Sequence, residues 1–433
     1  MATALSRFER PQHLPESCCR VALVGFGTVG SAVARLLCAR GHEHRLRLTH
    51  VCNRRVARKK VNWIAADVVW TDHMQQVLAS DADVVVELMG GLEPAHELVR
   101  HALQSGKSVV TANKQLIASY GSELLRLAGD NGQYLGFGAC VAGGIPVLSA
   151  LQDGLAGDRL VQVRGILNGT CNYILTRIEA GASFAEALQE AQQAGLAEAD
   201  PSYDVDGQDA AAKLAILARV GLKIEVATGH VLCRSIRSIA AIDFEYAHEL
   251  GCTIRQIATA RLASGKSYLG VGPALVPYAL PFADIRGSHN LVVSTGEFGG
   301  ETAFGGNGAG GDPTAVAVVS DLLQAARHRA TGTASADYGP LVACELRHDL
   351  HAPHYLRFVV RDRPGIIASI AAVLARHEMN LHAVLQKPGH AKSTLPFAIT
   401  LEPCSQGRLD AALEEISRFD FLVEAPVAMP ILE

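Results

Sequence analysis

The sequence predicts an α/β protein in three parts. These are a Rossmann-like, doubly wound parallel sheet over residues 20–145, an α+β region over 146–335, and a ferredoxin-like βαββαβ unit over 352–430. Three observations carry this reading. From Val21 the chain reads VALVGFGTVGSAVARLLCARG, an apolar run, a glycine turn and a helical period that stops at Gly41. Apolar strands then alternate with amphipathic helices, the pattern of βαβ units whose sheet is covered on both faces. The closing stretch reads strand, helix, strand, strand, helix, strand.

Taken in order, MATALSRFERPQHLPESCCR lacks the apolar core of a secretory signal and reads as a loose leader. LTHVCNRR is a second strand, and DADVVVELMGG is a nearly continuous apolar strand ending in glycines. HELVRHALQSG is helical, KSVVTANK is a short strand with a polar end, and the Gly143-Gly144 turn before Pro146 closes the region. The middle part holds the strand LVQVRGIL, an NGT turn, the acidic segment AEADPSYDVDGQD and the alanine-rich helix AAAKLAILARV. The glycine-dense GEFGGETAFGGNGAGGDP follows, read as backbone packed closely on something or as a surface loop, and leads into a helix. After a Gly/Ala/Ser/Thr-rich linker, YLRFVV, the helix after Pro364, NLHAVLQK, LPFAITLE, GRLDAALEEISRF and FLVEAPVAM complete the last unit.

The 433 residues suit two or three domains at roughly 150 residues each, and the 49% hydrophobic against 19% charged content excludes wholesale disorder. A net charge of −4 gives no electrostatic reason for a nucleic-acid or membrane-surface partner. No apolar run is long enough to span a membrane. The ten cysteines include no CxxC pair, which argues for reduced thiols in a cytoplasmic setting rather than a zinc site or disulfide framework.

Gly25, Gly27 and Gly30 fit GxGxxG between a strand and a helix. Gly25 permits the tight turn, Gly27 lets backbone approach a pyrophosphate, and Gly30 allows close helix–sheet contact. This context predicts a dinucleotide. The second strand ends in Asn53-Arg54-Arg55, with Arg58, Lys59 and Lys60 beyond, where an NAD site would carry a carboxylate. Cations there attract a 2′-phosphate, so NADP is favoured over NAD. Lys114 ends the strand VVTANK, with hydrogen-bonding Thr111 and Asn113 beside it.

Glu198, Asp200, Asp204, Asp206 and Asp209 precede Lys213. Asp209 and Lys213 share a helix face, and such a pair on a surface is worth only ~0.3–0.5 kcal/mol. The surrounding turns are apolar, so this pair sits on a mostly buried helix, where an ion pair is expensive and hints at function. The lysine would protonate a developing alkoxide and the carboxylates would bind a substrate ammonium. A calcium-loop reading fails, since only Asp204, Asp206 and Gly207 fit its spacing.

These residues resemble the homoserine dehydrogenase family of the bacterial, ACT-bearing type. The markers are VALVGFGTVG, VVELMGGLEPA, VVTANK, ACVAGGIP, GILNGTCNYIL, GLAEADPSYDVDGQDAAAKL, GGNGAGGDPTAVAVVSDL and the final DRPG, covering nearly all the chain from about residue 20. The resemblance implies reversible, NAD(P)-dependent interconversion of L-homoserine and L-aspartate 4-semialdehyde on the route to threonine and methionine. It implies Lys213 as acid/base, Lys114 assisting at the reacting oxygen and near the nicotinamide, and Asp209 positioning substrate and lysine. Glu198 and Asp204 fall where the family binds substrate. Phe26, Thr28 and Val29 match phosphate-loop contacts, Arg54 the 2′-phosphate contact and Gly308 a late glycine near the cofactor. The family's sodium site would draw on backbone carbonyls of Val141, Gly143 and Ile145, but its usual glutamate is replaced by Gly138, which puts the metal in question. Cys140 reads as a small buried residue rather than a nucleophile. The C-terminal unit resembles an ACT domain, with a tight turn at Gly365 for the approach of a ligand, Gln386 on the second strand and threonine as the expected effector. The resemblance further implies a homodimer or homotetramer. The enzyme alternative is another dehydrogenase pairing these domains, such as one acting on prephenate, and it leaves AEADPSYDVDGQDAAAK unexplained. A non-catalytic NADP and amino-acid sensor is the alternative from a different class, and the two lysines argue against it.

Overall fold

The computed structural model describes residues 18–332, 341–347 and 349–433, which fall into two compact units. Positions 1–17, read as a leader, 333–340, read as part of a linker, and 348 lie outside the described residues. Cys19 and Arg20, read as leader, already belong to the first strand.

The first unit contains residues up to 144 and resumes at Gly310. Its six strands are β1 (Cys19–Val24), β2 (Leu46–Cys52), β3 (Val69–Thr71), β4 (Val84–Glu87), β5 (Ser108–Thr111) and β6 (Leu135–Gly136). All pair in parallel in the order β3-β2-β1-β4-β5-β6, the doubly wound order with its switch point beside β1. Helix α1 (Thr28–Arg40) buries Ala32, Val33, Ala34 and Leu37 against Val21 and Leu23 of β1 and Val84 and Val86 of β4. Helices α2 (Ala95–Gln104) and α3 (Lys114–Asp130) pack on each other and bury Leu98, Val99 and Leu103 with Leu116, Ile117 and Leu124.

The helix Gly311–Thr331 was expected in the middle region, but it clusters with the first unit. Its fully buried Ala315, Val318, Leu322 and Ala325 join the core beneath α1. Arg329 Nη1 lies 2.6 Å from Asp83 Oδ1, and His328 Nε2 lies 3.0 Å from the Gly132 carbonyl. The sheet face beside α1 needs a second helix, and the chain supplies it only after a long excursion.

The second unit contains residues 145–309 and resumes after the linker. Its catalytic-region sheet is built on β7 (Leu160–Ile166), β8 (Cys252–Ala263), β9 (Lys266–Pro277), β10 (His289–Gly296) and β11 (Gly300–Asn307), in the order β11-β10-β7-β8-β9. The glycine-dense segment is thus in part a strand, antiparallel to β10 in a register that pairs Gly305 with Leu291 and Gly306 with Asn290. Helices α4 (Gly169–Glu179), α5 (Gln208–Leu217) and α6 (Ala241–Glu249) belong to this unit.

The closing βαββαβ unit consists of β12 (His351–Val360), α7 (Ile366–Arg376), β13 (Leu381–Leu385), β14 (Leu395–Ser405), α8 (Gln406–Ile416) and β15 (Val427–Pro430). The sheet is antiparallel in the order β13-β14-β12-β15. Strand alternation divides its side chains between two cores. Leu356, Phe358, Phe397 and Ile399 face α7 and α8. Tyr355, Ala398, Val427 and Met429 enter a cluster with Ile174 and Leu175 of α4 and Phe244 and Tyr246 of α6. The tail therefore shares a core with the middle region, which its sequence pattern alone did not show.

Candidate active site

In the first unit the glycine turn follows β1. Gly25 has φ +103°, and a Cβ there would lie 2.5 Å from the Leu88 carbonyl oxygen; a Cβ on Gly30 would collide with the Gly25 carbonyl. Gly27 has nothing within 4 Å of that position and caps α1 without a side-chain hydrogen bond, leaving the helix N-terminus open to an anion. Thr28 is exposed and Val29 half-buried. The Phe26 side chain, by contrast, is buried against Trp70 (ring centroids 5.0 Å apart) and Trp63, so only its backbone faces the turn. Arg54 and Arg55 are exposed directly after β2, with the Arg55 N–H donating to Asn53 Oδ1.

Lys114 does not end a strand: β5 stops at Thr111 and Lys114 is the first residue of α3. A buried relay fixes this start. The carboxylate of Glu87, fully buried, accepts from Thr111 Oγ1 (2.6 Å) and from the Met89 N–H (2.7 Å). Thr111 Oγ1 in turn accepts from the Asn113 N–H (2.9 Å), and Asn113 caps α3 through the Leu116 N–H. A lysine gains nothing from the positive end of a helix dipole. Sequence reasoning quoted Glu87 only as part of a motif; its sign was a lone acid inside an otherwise apolar strand.

Gly138 has a physical reason to lack a side chain. Its N–H donates to Asp321 Oδ2 (2.7 Å), and a Cβ there would stand 2.9 Å from Asp321 Oδ1. Asp321, on the long helix, also excludes a side chain at Gly136. Burial pushes the Asp321 carboxyl up to about 7, against the opposing pull of the Gly138 and Ala139 N–H groups. The native state then holds this proton more tightly than the unfolded chain, so stability falls as pH rises from about 4 to about 7. The loss is on the order of 4 kcal/mol, at about 1.4 kcal/mol per pKa unit. Asp321→Asn keeps an acceptor for Gly138 and is expected to flatten that dependence. Thermal unfolding across pH 4–8 checks this, and an unchanged slope in the variant would refute it. Cys140 is buried with its thiol pushed well above the usual range by burial, which suits packing and not nucleophilic attack.

In the second unit α5 carries Asp209 and Lys213 one turn apart, with Asp209, Ala210–Ala212 and Leu214–Leu217 buried. Gly207, at φ +92°, turns the chain into this helix. Lys213 Nζ donates to Asp209 Oδ2 (2.7 Å) and to the Leu167 carbonyl (2.8 Å), and its side chain is 11% exposed. These two acceptors, among the described residues, leave one of the three ammonium N–H bonds for a reacting oxygen. Asn168, which sequence reasoning missed, joins the acids: its Nδ2 donates to Asp204 Oδ1 (2.7 Å) and Asp209 Oδ2 (2.8 Å) while its Oδ1 caps α4 at the Cys171 N–H. The NGT turn was the available signal. Asp204, Asp209 and Lys213 are thus brought together. Glu198 is exposed, and among the described residues no hydrogen bond joins its carboxylate to this group.

Gly308 is buried where the Asn290 carboxamide presses against it, so no side chain fits. Gln386 lies just past β13 rather than on it and is exposed; Gly365, at φ +93°, caps α7. No described helix is long and apolar enough to cross a membrane.

Comparison with known proteins fits this arrangement. The homoserine dehydrogenase NAD-binding model matches residues 25–137, the homoserine dehydrogenase model residues 146–323 and the ACT model residues 354–421. The homoserine dehydrogenase of Synechocystis is 38% identical over 431 residues, 95% of this chain and 99% of that protein. The structure of a homoserine dehydrogenase from Thiobacillus denitrificans superposes with a TM-score of 0.88 at 33% identity, over 96% of this chain and 98% of that one. A hyperthermophilic archaeal homoserine dehydrogenase, solved in complex with NADPH, matches 71% of this chain and 97% of its own at a TM-score of 0.61 and 27% identity.

Proposed function

Because the chain belongs to the homoserine dehydrogenase family, we propose that its reaction, the NAD(P)-dependent interconversion of L-homoserine and L-aspartate 4-semialdehyde, is carried by Lys213. The observation behind this is an ammonium held on a buried helix by Asp209 and Leu167 with one N–H to spare. In the oxidation direction hydride leaves the carbon bearing the hydroxyl. Lys213 takes up the hydroxyl proton, and in reduction it returns that proton to the alkoxide. A lysine must shed a proton to act as base, and Asp209, itself held by Asn168, and the Leu167 carbonyl keep its amine in place while it does so. Asp204 and Glu198 are assigned to the substrate ammonium, and Lys114 to the reacting oxygen and nicotinamide end.

Gly25, Gly27 and Gly30 form the pyrophosphate turn with backbone of Phe26, Thr28 and Val29, and Gly308 is assigned to the cofactor. NADP is the preferred cofactor, since Arg54 stands where a carboxylate would exclude a 2′-phosphate. Arg54→Ala is expected to raise KM for NADP+ about tenfold or more with that for NAD+ little changed. Equal effects on both cofactors would remove Arg54 from the 2′-phosphate.

The residues do not furnish a complete sodium site. Gly138 brings no carboxylate, the neighbouring Asp321 is engaged by backbone N–H groups, and the Ile145 carbonyl already accepts from the Val147 N–H (2.7 Å). No group of three or more His, Cys, Asp or Glu placed to hold a metal occurs among the described residues. No step is assigned to a metal.

Threonine is the proposed effector of the ACT domain, and a cytoplasmic homodimer or homotetramer the proposed form. The edge strand β11 and Phe298, 89% exposed at the hairpin before it, suit self-association. The deciding experiment follows nicotinamide absorbance with purified protein, L-homoserine and NADP+ or NAD+, with and without L-threonine. Rapid reduction of NADP+, slowed by threonine, is expected. Binding of NADPH without any turnover would overturn the assignment.

A further inference from the structure

We propose that segment 234–249 is a link through which the ACT domain sets the position of the acids around Lys213. The proposal rests on the reading of Asp204, Asp209 and Lys213 as the reactive group.

The ACT domain holds this segment at three places, each from a different element. From α8, Asp410 accepts from Arg234 Nη2 through both carboxylate oxygens (2.8 and 2.9 Å). From β12, Arg357 donates to the Ser238 carbonyl (3.0 Å) and to Asp243 Oδ1 (2.8 Å), where Tyr355 also donates (3.0 Å). Just past β13, Lys387 pairs with Glu245 (3.1 Å) and Glu249 (3.2 Å) of α6.

The same segment also holds the acidic turn. Ser235 Oγ donates to Asp206 Oδ1 (2.6 Å), Arg237 Nε donates to the same oxygen (2.9 Å), and Arg237 Nη2 donates to Ser202 Oγ (3.1 Å). The Ile236 N–H donates to the Val205 carbonyl (3.1 Å). Val205 and Asp206 lead directly into Gly207 and the first turn of α5, which carries Asp209.

The two sets of contacts interleave along the chain. Arg234 and Ser238 belong to the ACT side, while Ser235, Ile236 and Arg237 between them belong to the acidic turn. Ile236 and Ile239 are buried in one cluster with Val205 and with Tyr355, Val427 and Met429 of the ACT sheet. Packed cores shift between discrete arrangements rather than deform smoothly. A displacement of the ACT sheet therefore carries residues 235–237 with it, and Asp206 with them.

The test uses the full chain with Lys387→Met and Asp410→Asn on the ACT side and Arg237→Met on the segment, singly and paired. Each ACT-side variant is expected to raise KM for L-homoserine about fivefold or more, with KM for the dinucleotide within about twofold. Hydrogen exchange is expected to quicken at 202–209 and to stay unchanged in β7, and Lys387→Arg should restore both readouts. Paired with Arg237→Met, either ACT-side change should fall short of the product of the single effects. Unchanged exchange at 202–209 in both ACT-side variants, or strictly multiplicative effects, would overturn the link. Should the unsubstituted chain oxidise no homoserine, the reading of Lys213 falls, while the exchange measurement still decides the link.

Discussion

Lys213→Ala is expected to lower turnover of L-homoserine by about 10²–10⁴-fold while NADPH binding is retained. In the proposed reaction the amine takes and returns the hydroxyl proton, whereas the glycine turn belongs to the first unit and does not include Lys213. Asp209 keeps Asn168 as a donor when the lysine is removed, so the helix is expected to hold its place. Lys213→Arg is not a rescue, because a guanidinium cannot shed its proton in the working pH range. Turnover within about tenfold of the unsubstituted protein, with an intact thermal transition, would remove Lys213 from proton transfer.

The largest effect on stability is expected from Arg357→Met. Arg357 and Asp243 are 6% and 0% exposed and meet at 2.8 Å, and Arg357 also pairs with Glu424. Leaving a buried carboxylate without its cation costs about 3–5 kcal/mol. Burial already raises the Asp243 carboxyl above its ordinary value despite Arg357. Without the guanidinium, the native state holds a protonated Asp243 while the unfolded chain ionises it above about pH 4. Stability of the variant should therefore fall further behind as pH rises, and the difference between the two proteins should be smaller at pH 5 than at pH 8. Denaturant unfolding at both values checks the size and the sign. A loss under about 1 kcal/mol would mean the pair behaves as a surface contact. The same packing predicts that removing residues 350–433 destabilises the middle region, because Tyr355, Ala398, Val427 and Met429 fill its core. Tests of the effector accordingly use point variants in the full chain.

How much was legible in the sequence differs from element to element. The glycine turn was legible because part of its constraint is local: Gly25 has a positive φ, and Gly30 meets the Gly25 carbonyl five residues before it. Asp209 and Lys213 were legible because one helical turn separates them and the residues between are apolar. The burial of the Phe26 ring was not legible, since Trp63 and Trp70 reach it only through the fold. Lys114 was placed one element too early because VVTANK carries no signal that the strand ends at Thr111; the cap is a side-chain relay from Glu87 on another strand. Asn168 and Asp321 act over sequence separations of 41 and 183 residues, which no local pattern records.

By itself, then, the sequence determined the family, the order of three folding patterns, the dinucleotide turn and the lysine–aspartate helix. The family rests on the resemblance of its motifs, and the others on periodicity or on backbone conformations set within a few residues. Only the tertiary structure decided that the helix Gly311–Thr331 completes the first sheet, that Asp321 fills the space at Gly138, and that both faces of the ACT sheet are buried. Those outcomes depend on which apolar faces and buried charges find each other across long separations. Their residue types admit several partners, and only the packed core selects one.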